Sequence, residues 1–322
     1  MGYNILRFKH HQTTHWGVQK GNKISPFGIG VDQLSDLLTK HLGEAAAKAK
    51  DDSEGTFDLD SLQIISPVTR PTRLLCLGLN YYEHRDEAQA HRTKTAPLFF
   101  RKDESAIIGS TDDIQWPKGC HLLDYEVEMG LIMKKAITAP TEITKENIGD
   151  YVGGMILAND MSPRDLMFFT PFSQWYMGKS WRCMCPLGPS IYIFEEGEAA
   201  KIHEMEIKLW VNDELRQDAH TKDMITKPEK ALTLASESID LAVGDVVLTG
   251  TPGGVAIQAP SKMKQNIGRL LFSEKKLATM MVKGQLKSGR FLKDGDVVRC
   301  SLKSADGSID CGEQRSLIVK KG

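Results

Sequence analysis

The residues best placed to do chemistry are acids spaced two apart. In Leu123-Asp124-Tyr125-Glu126-Val127-Glu128-Met129-Gly130 the carboxylates fall at i, i+2 and i+4, so on a β-strand all three project from one face. Leu123, Val127, Met129, Leu131 and Ile132 surround them with apolar neighbours, and buried carboxylates without compensation are costly. A hard divalent cation is the simplest compensation. Mg²⁺ or Mn²⁺ takes carboxylate and water oxygens, and the absence of nearby His and Cys pairs argues against zinc. Salt bridges from Lys or Arg to an acidic strand face are the alternative. Glu126 and Glu128 make only part of a shell. The next candidate ligand is Asp160, which ends the apolar run Leu157-Ala158-Asn159-Asp160, where a turn would face it into a cavity.

His84 and Glu87 stand at i and i+3 where a strand end runs into a polar, helical segment, so they can meet on one helix face. A carboxylate bonded to imidazole fixes its tautomer and raises its basicity, which suits proton abstraction from water near neutral pH. An exposed histidine among Glu83, Arg85 and Asp86 is the plainer reading. Lys179, bracketed by aromatics in Gln174-Trp175-Tyr176-Met177-Gly178-Lys179, could meet an anionic substrate or a developing enolate, or simply reach for solvent. Thr249-Gly250-Thr251-Pro252 follows a strong strand and should turn sharply, exposing backbone amides and the Thr251 hydroxyl. It lacks the Gly-Lys-Ser/Thr ending of a phosphate loop.

These residues need a frame, and 322 residues suffice for one large domain or two ordinary ones. The first 28 residues alternate around Lys20-Gly21-Asn22-Lys23 as a β-hairpin does, and Leu34, Leu37, Leu38 and Leu42 recur at helical spacing. A boundary is expected near Ser66 to Thr72, between prolines 67 and 71, giving a small N-terminal domain over 1–70 and a catalytic domain over 71–322. β-patterned runs dominate the second part: Asp124 to Met133, Tyr151 to Ala158, Ser190 to Phe194, Glu206 to Val211, Asp245 to Thr249, Asp296 to Leu302 and Ser316 to Lys320. The fold class is therefore α+β, predominantly β. Gly244-Asp245-Val246-Val247 reappears as Gly295-Asp296-Val297-Val298, too short a match to claim a repeat. A basic, Met-rich segment, 261–290, lies between the two copies as a surface insertion or a helix over a site.

Composition narrows the ligand. With 41 Lys plus Arg against 42 Asp plus Glu, no net field draws nucleic acid or anionic lipid, so a small molecule is expected. No secretory leader is read in Met1 to Phe8 and no stretch has the length of an apolar membrane span, so a cytoplasmic protein is expected. The 6 cysteines are scattered and read as buried free thiols.

Taken in order, the motifs resemble the fumarylacetoacetate hydrolase family across roughly Pro67 to Val255. They are Gly78-Leu79-Asn80-Tyr81 with His84, Leu123-Asp124-Tyr125-Glu126-Val127-Glu128, Asn159-Asp160 with Arg164-Asp165, Gln174-Trp175 with Gly178-Lys179-Ser180, Pro186-Leu187-Gly188-Pro189, Val211-Asn212 with Arg216-Gln217, and Thr249-Gly250-Thr251-Pro252. The resemblance implies a mixed β-roll catalytic core with a small N-terminal α/β domain, a homodimer, and Mg²⁺ (or Mn²⁺ or Ca²⁺) held by Glu126, Glu128 and Asp160. It further implies that His84 and Glu87 activate water, that Lys179 contacts the substrate or its enolate, and that Arg164, Gln174 and Thr251 line the pocket. The leading expectation is a Mg²⁺-dependent hydrolase cleaving a C–C bond in a β-diketo or acylpyruvate-type acid, as in aromatic catabolism. The alternative is a decarboxylase or an isomerase or tautomerase of an oxaloacetate-like or hydroxy-dienedioate-like acid, and a non-catalytic binding protein is a remote third. Two departures stand out: Trp181-Arg182 replaces the family's usual aromatic-Asp pair, and segment 261–290 intervenes before the last strands.

Overall fold

The structure, a computed structural model, describes residues 1–53, 55–90, 96–259 and 272–320. Alternating side chains make Tyr3–His10 (β1), Thr13–Lys20 (β2) and Lys23–Phe27 (β3) an antiparallel meander. The expected Lys20–Lys23 turn joins β2 to β3. A second tight turn, with His11 at φ 53°, joins β1 to β2 and makes three strands of the expected hairpin. The leucine-spaced helix forms as Leu34–Asp36 (α1), a π-turn over Leu37–His41 and Leu42–Lys50 (α2), burying Leu34, Leu37 and Leu38. Phe57–Asp58 (β4) then returns on β3 and Gln63–Ile65 (β5) on β1.

The chain continues through Leu74–Gly78 (β6), Tyr82–Glu87 (α3), Leu98–Lys102 (β7), Ile107–Ile108 (β8), Ile114–Gln115 (β9), Leu123–Asp124 (β10) and Val127–Met133 (β11). Ile148–Tyr151 (α4), Val152–Asn159 (β12), Ser162–Pro163 (β13), Arg164–Phe168 (α5), Trp175–Lys179 (α6) and Cys185–Ile193 (β14) follow. Met205–Val211 (β15), Glu214–His220 (β16), Pro228–Ser236 (α7), Val246–Leu248 (β17), Glu274–Leu286 (α8), Val297–Ser304 (β18) and Asp310–Val319 (β19) complete it. The main path of a 12-stranded mixed sheet runs β4-β3-β2-β1-β14-β12-β11-β17-β6-β7, and a 5-stranded sheet runs β16-β15-β18-β19-β9. The N-terminal strands thus extend the large sheet through β1 on β14. The fold is α+β, predominantly β, as the strand-rich pattern implied.

The two faces of β11 divide the labour. Val127, Met129 and Leu131 join Ile207 and Leu209 of β15 and Cys300 and Leu302 of β18 in the core between the sheets. Glu126 and Glu128 project to the opposite side, as period 2 requires. Strand β11 pairs with β12 (Val127↔Asn159, Glu128↔Ala158), and β10 pairs with β13 (Leu123↔Pro163, Asp124↔Ser162) in the same continued register. Between the two ladders regular pairing lapses at Tyr125-Glu126 and Asp160-Met161. The lapse is where acids from neighbouring strands meet.

The Gly-Asp-Val-Val copies lie in different sheets, β17 in the large one and β18 in the small one. What they share is a turn: Gly244 (φ 87°) and Gly295 (φ 86°) are left-handed, and Asp245 and Asp296 each accept a bond from the amide three residues back. Local turn chemistry explains the likeness. The cysteines are free, all buried except the half-buried Cys183.

Candidate active site

Glu126, Glu128 and Asp160 converge in the lapse, each offering an oxygen within 4.8 Å of the others. All three are buried, Asp160 completely. Asp160 donates its amide to the Glu126 carbonyl (2.7 Å), while the Glu126 amide donates to Asn159 Oδ1 (3.0 Å), so side-chain and crossing bonds replace the missing ladder. Asp124, the first acid of the alternating run, turns elsewhere. It accepts from the amides of Tyr125, Ala256 and Ile257 and from Arg164 Nε at 2.8 Å, because β10 belongs to the neighbouring ladder.

Glu128 accepts the Gly250 amide at 2.7 Å. Gly250 has φ 92°, and a Cβ there would stand 2.8 Å from Asn80 Cβ and 3.0 Å from the Leu77 carbonyl, so only glycine fits without displacing the chain. Asn80 in turn accepts the Thr226 amide (2.7 Å) and donates to the carbonyls of Thr226 (3.0 Å) and Thr249 (2.8 Å), tying the start of α3 to the turn after β17.

Three cations surround the acids. Lys179 Nζ donates to Glu126 Oε2 (2.6 Å), Asp160 Oδ2 (2.8 Å) and Ser162 Oγ (2.8 Å), and lies 5.2 Å from the Phe100 ring centre. Lys102 Nζ grips Asp160 Oδ1. Arg164 Nη2 lies 2.5 Å from Glu126 Oε1 in an ion-pair contact off the hydrogen-bonding direction. The compensation is uneven. Burial acts to raise Glu126, but Arg164 and Lys179 outweigh it and hold the carboxyl at about 2. Burial, with Asp160 and Glu126 beside it, drives Glu128 well above the usual carboxylate range. A buried all-oxygen set with one acid left short of positive charge is a fit for a hard divalent cation.

On α3, His84 Nδ1 lies 3.2 Å from Glu87 Oε2, and Gly254 donates its amide to Glu87 Oε1 at 2.8 Å. With the proton on Nδ1, Nε2 is left to accept. His84, Glu87, Glu126, Arg164, Lys179 and Thr251 all line one cavity. Gln174 stands apart: it caps α6 through its backbone carbonyl, is exposed, and is not among the lining residues. Its neighbour Trp175 does line the cavity, packed on Phe100 and Phe168.

The model of the fumarylacetoacetate (FAA) hydrolase C-terminal domain matches residues 73–316. The chain belongs to the fumarylacetoacetate hydrolase family. It is 30% identical over 259 residues to "Oxaloacetate tautomerase fahd2, mitochondrial" of Xenopus laevis, covering 80% of this chain and 71% of that one. It is 30% identical over 260 residues to "Oxaloacetate tautomerase FAHD2A, mitochondrial" of Homo sapiens, covering 78% and 81%. Its likeness to the Rattus norvegicus relative of similar name is 36% over 193 residues, 60% of this chain and 59% of that one. Among solved structures, a probable 2-hydroxyhepta-2,4-diene-1,7-dioate isomerase from Mycobacterium abscessus superposes with TM-score 0.74 at 25% identity, covering 100% of both chains.

Within this member of the family, Lys102 escaped the sequence reading, and Gln217 entered it only as part of the Arg216-Gln217 motif, with no role. Lys102, fully enclosed at its side chain, closes the Leu98–Lys102 strand, and no motif near it in the sequence marks it as a partner of Asp160. Gln217 accepts the Val127 amide (3.0 Å) and donates to Thr251 Oγ1 (2.8 Å) and the Pro252 carbonyl (3.0 Å), so the Thr251 hydroxyl is held by β16. Among the described residues no helix is long and apolar enough to cross a membrane.

Proposed function

We propose that the protein is a divalent-cation-dependent enzyme that interconverts keto and enol forms of a small 2-oxo acid of the oxaloacetate kind. The observation that carries this reading is the buried Glu126, Glu128, Asp160 cluster bridged by Lys179, in a chain whose relatives are named oxaloacetate tautomerases. Those names favour the second of the two enzyme readings drawn from the sequence over C–C hydrolysis.

A cation held by the three carboxylates, Mg²⁺ by preference, would polarise the oxo and carboxylate oxygens of the substrate. Lys179 and Arg164 supply fixed positive charge to the anionic head group, where negative charge grows as the enolate forms. His84 Nε2, oriented by Glu87, takes the proton from C3 as the C2–C3 double bond forms, and the proton returned to the C2 oxygen completes the enol. The buried cluster keeps bulk water from screening these charges. The test is the enol absorbance of oxaloacetate followed with purified protein in Mg²⁺ and after chelation. Acceleration that chelation removes is expected, and an unchanged exchange rate with Mg²⁺ present would sink the reading.

Hydrolytic cleavage of an acylpyruvate-type acid is the second reading, favoured by the His84–Glu87 contact, which suits activation of water. Product analysis separates the three reactions. Cleavage gives two smaller fragments, decarboxylation gives CO₂, and tautomerisation leaves the mass unchanged.

A further inference from the structure

The cavity that Glu126, His84 and Lys179 line is much roomier than a four-carbon diacid requires. It encloses about 1450 Å³, above the roughly 300–1,000 Å³ of ordinary small-molecule sites. Beside the charged residues of the head-group site, a second group of lining residues comes from one helix. Leu277, Ala278, Met281, Val282 and Gln285 recur at helical spacing on α8 and border the cavity half-buried. No residue of α8 is fully buried. Val282 packs against the main core, but Leu277 and Met281 do not join it and border the cavity instead.

This wall is fastened to the segment that follows the Thr251 turn. The Gln258 amide donates to Gln285 Oε1 at 3.2 Å, and Gln285 Nε2 donates back to the Gln258 carbonyl at 2.5 Å. Arg290 Nη2 donates to the carbonyl of Gly254 at 2.8 Å, and the amide of that same Gly254 holds Glu87. The helix is thus tied to Glu87 indirectly, through the Gly254–Gln258 stretch that both Gln285 and Arg290 bond.

The structure assigns α8 to substrate choice: Leu277 and Met281 seat an apolar tail carried by the 2-oxo acid. The assignment rests on the head-group reading above and names the substrate class that reading leaves open. A short diacid leaves this apolar surface wet, whereas an alkyl or aryl tail removes it from water, a gain of roughly fourfold in affinity per buried methylene. Lys275 and Lys283 also border the cavity, so a tail ending in a second carboxylate is the competing chemistry.

The test is calorimetric and needs no turnover. Pyruvate, oxaloacetate, 2-oxohexanoate, 2-oxooctanoate and the dioate of matching length are titrated into the Mg²⁺-loaded full chain. Affinity should climb with chain length by roughly fourfold per methylene until the wall is covered, and the monoacid should bind more tightly than its dioate. In Leu277→Ser/Met281→Ser the climb should flatten. In Met281→Trp, which fills the seat, it should stop at a shorter chain. Circular dichroism checks that both variants fold. A flat series in the wild type, a preference for the dioate, or an unaltered climb in both variants would each overturn the assignment. Absence of pyruvate and oxaloacetate binding would instead overturn the head-group reading, and the assignment with it.

Discussion

Lys102 and Lys179 each take one oxygen of the same carboxylate, that of Asp160, from different parts of the chain. Lys102 ends a sheet strand and Lys179 ends a short helix, and the two are clipped together next door. The Asp103 amide donates to Ser180 Oγ at 2.9 Å, and Tyr176 donates its hydroxyl to Asp103 Oδ2 at 2.8 Å.

Lys102→Met should therefore be severe for stability. It leaves a fully buried Asp160 carboxylate short of one cation, and breaking such a pair costs about 3–5 kcal/mol. Urea unfolding measures the loss. Mg²⁺ should restore more of it in the variant than it adds to the wild type, because a bound cation supplies the missing charge.

Asp160→Asn and Asp124→Ala separate two acids that look alike in sequence. The first should weaken Mg²⁺ binding by more than about a hundredfold, beyond the effect of losing an outer partner. The second strands three amides and Arg164, so it should destabilise by roughly 3 kcal/mol or more. Isothermal titration with Mg²⁺ beside thermal melts distinguishes them. Equal losses of cation affinity would mean that the two acids do not differ in role.

His84→Asn should lower kcat by about 10²–10⁴ while the cation affinity stays within a few-fold of the wild type. Glu87→Gln should be milder, since the amide can still accept from Gly254. Wild-type turnover in His84→Asn would remove His84 from the proton-transfer role.

Asp103 carries a pH signature. The Ser105 hydroxyl and amide, then the Tyr176 hydroxyl, hold its carboxyl at about 2. A depressed folded-state value gives stability that is present above the ordinary carboxylate range and lost as pH falls through about 2. Asp103→Asn should melt lower than wild type at neutral pH, and the gap should close between roughly pH 4 and pH 2. A gap independent of pH would show that the carboxylate charge does not matter there.

Much of this site was legible in the sequence because strand periodicity is local. The E-x-E spacing placed Glu126 and Glu128 on one face, and i, i+3 spacing brought His84 to Glu87. The fate of Asp124 was not legible. Alternation puts it beside Glu126, but the chain changes ladder between them, and pairing is set by distant residues, Ser162 for Asp124 and Asn159 for Val127. Lys102 was hidden for a similar reason: nothing near it in sequence hints at Asp160, and only the sheet order brings the two together. The β-rich character followed from the alternating pattern of the strand runs, while the three-stranded start needed the left-handed turn at His11.

The shared register on both sides of the lapse makes the acid cluster a gauge of correct strand alignment. Sliding β12 by one residue against β11 would exchange the faces of the two chains, setting Glu126 opposite Asn159 or Met161 and sending Asp160 toward the apolar core. A misaligned chain could neither neutralise its carboxylates nor gather three of them around one ion. If the cluster takes the proposed cation, its capture would double as proofreading: an ion that binds only the aligned pair would reward the one alignment that also works.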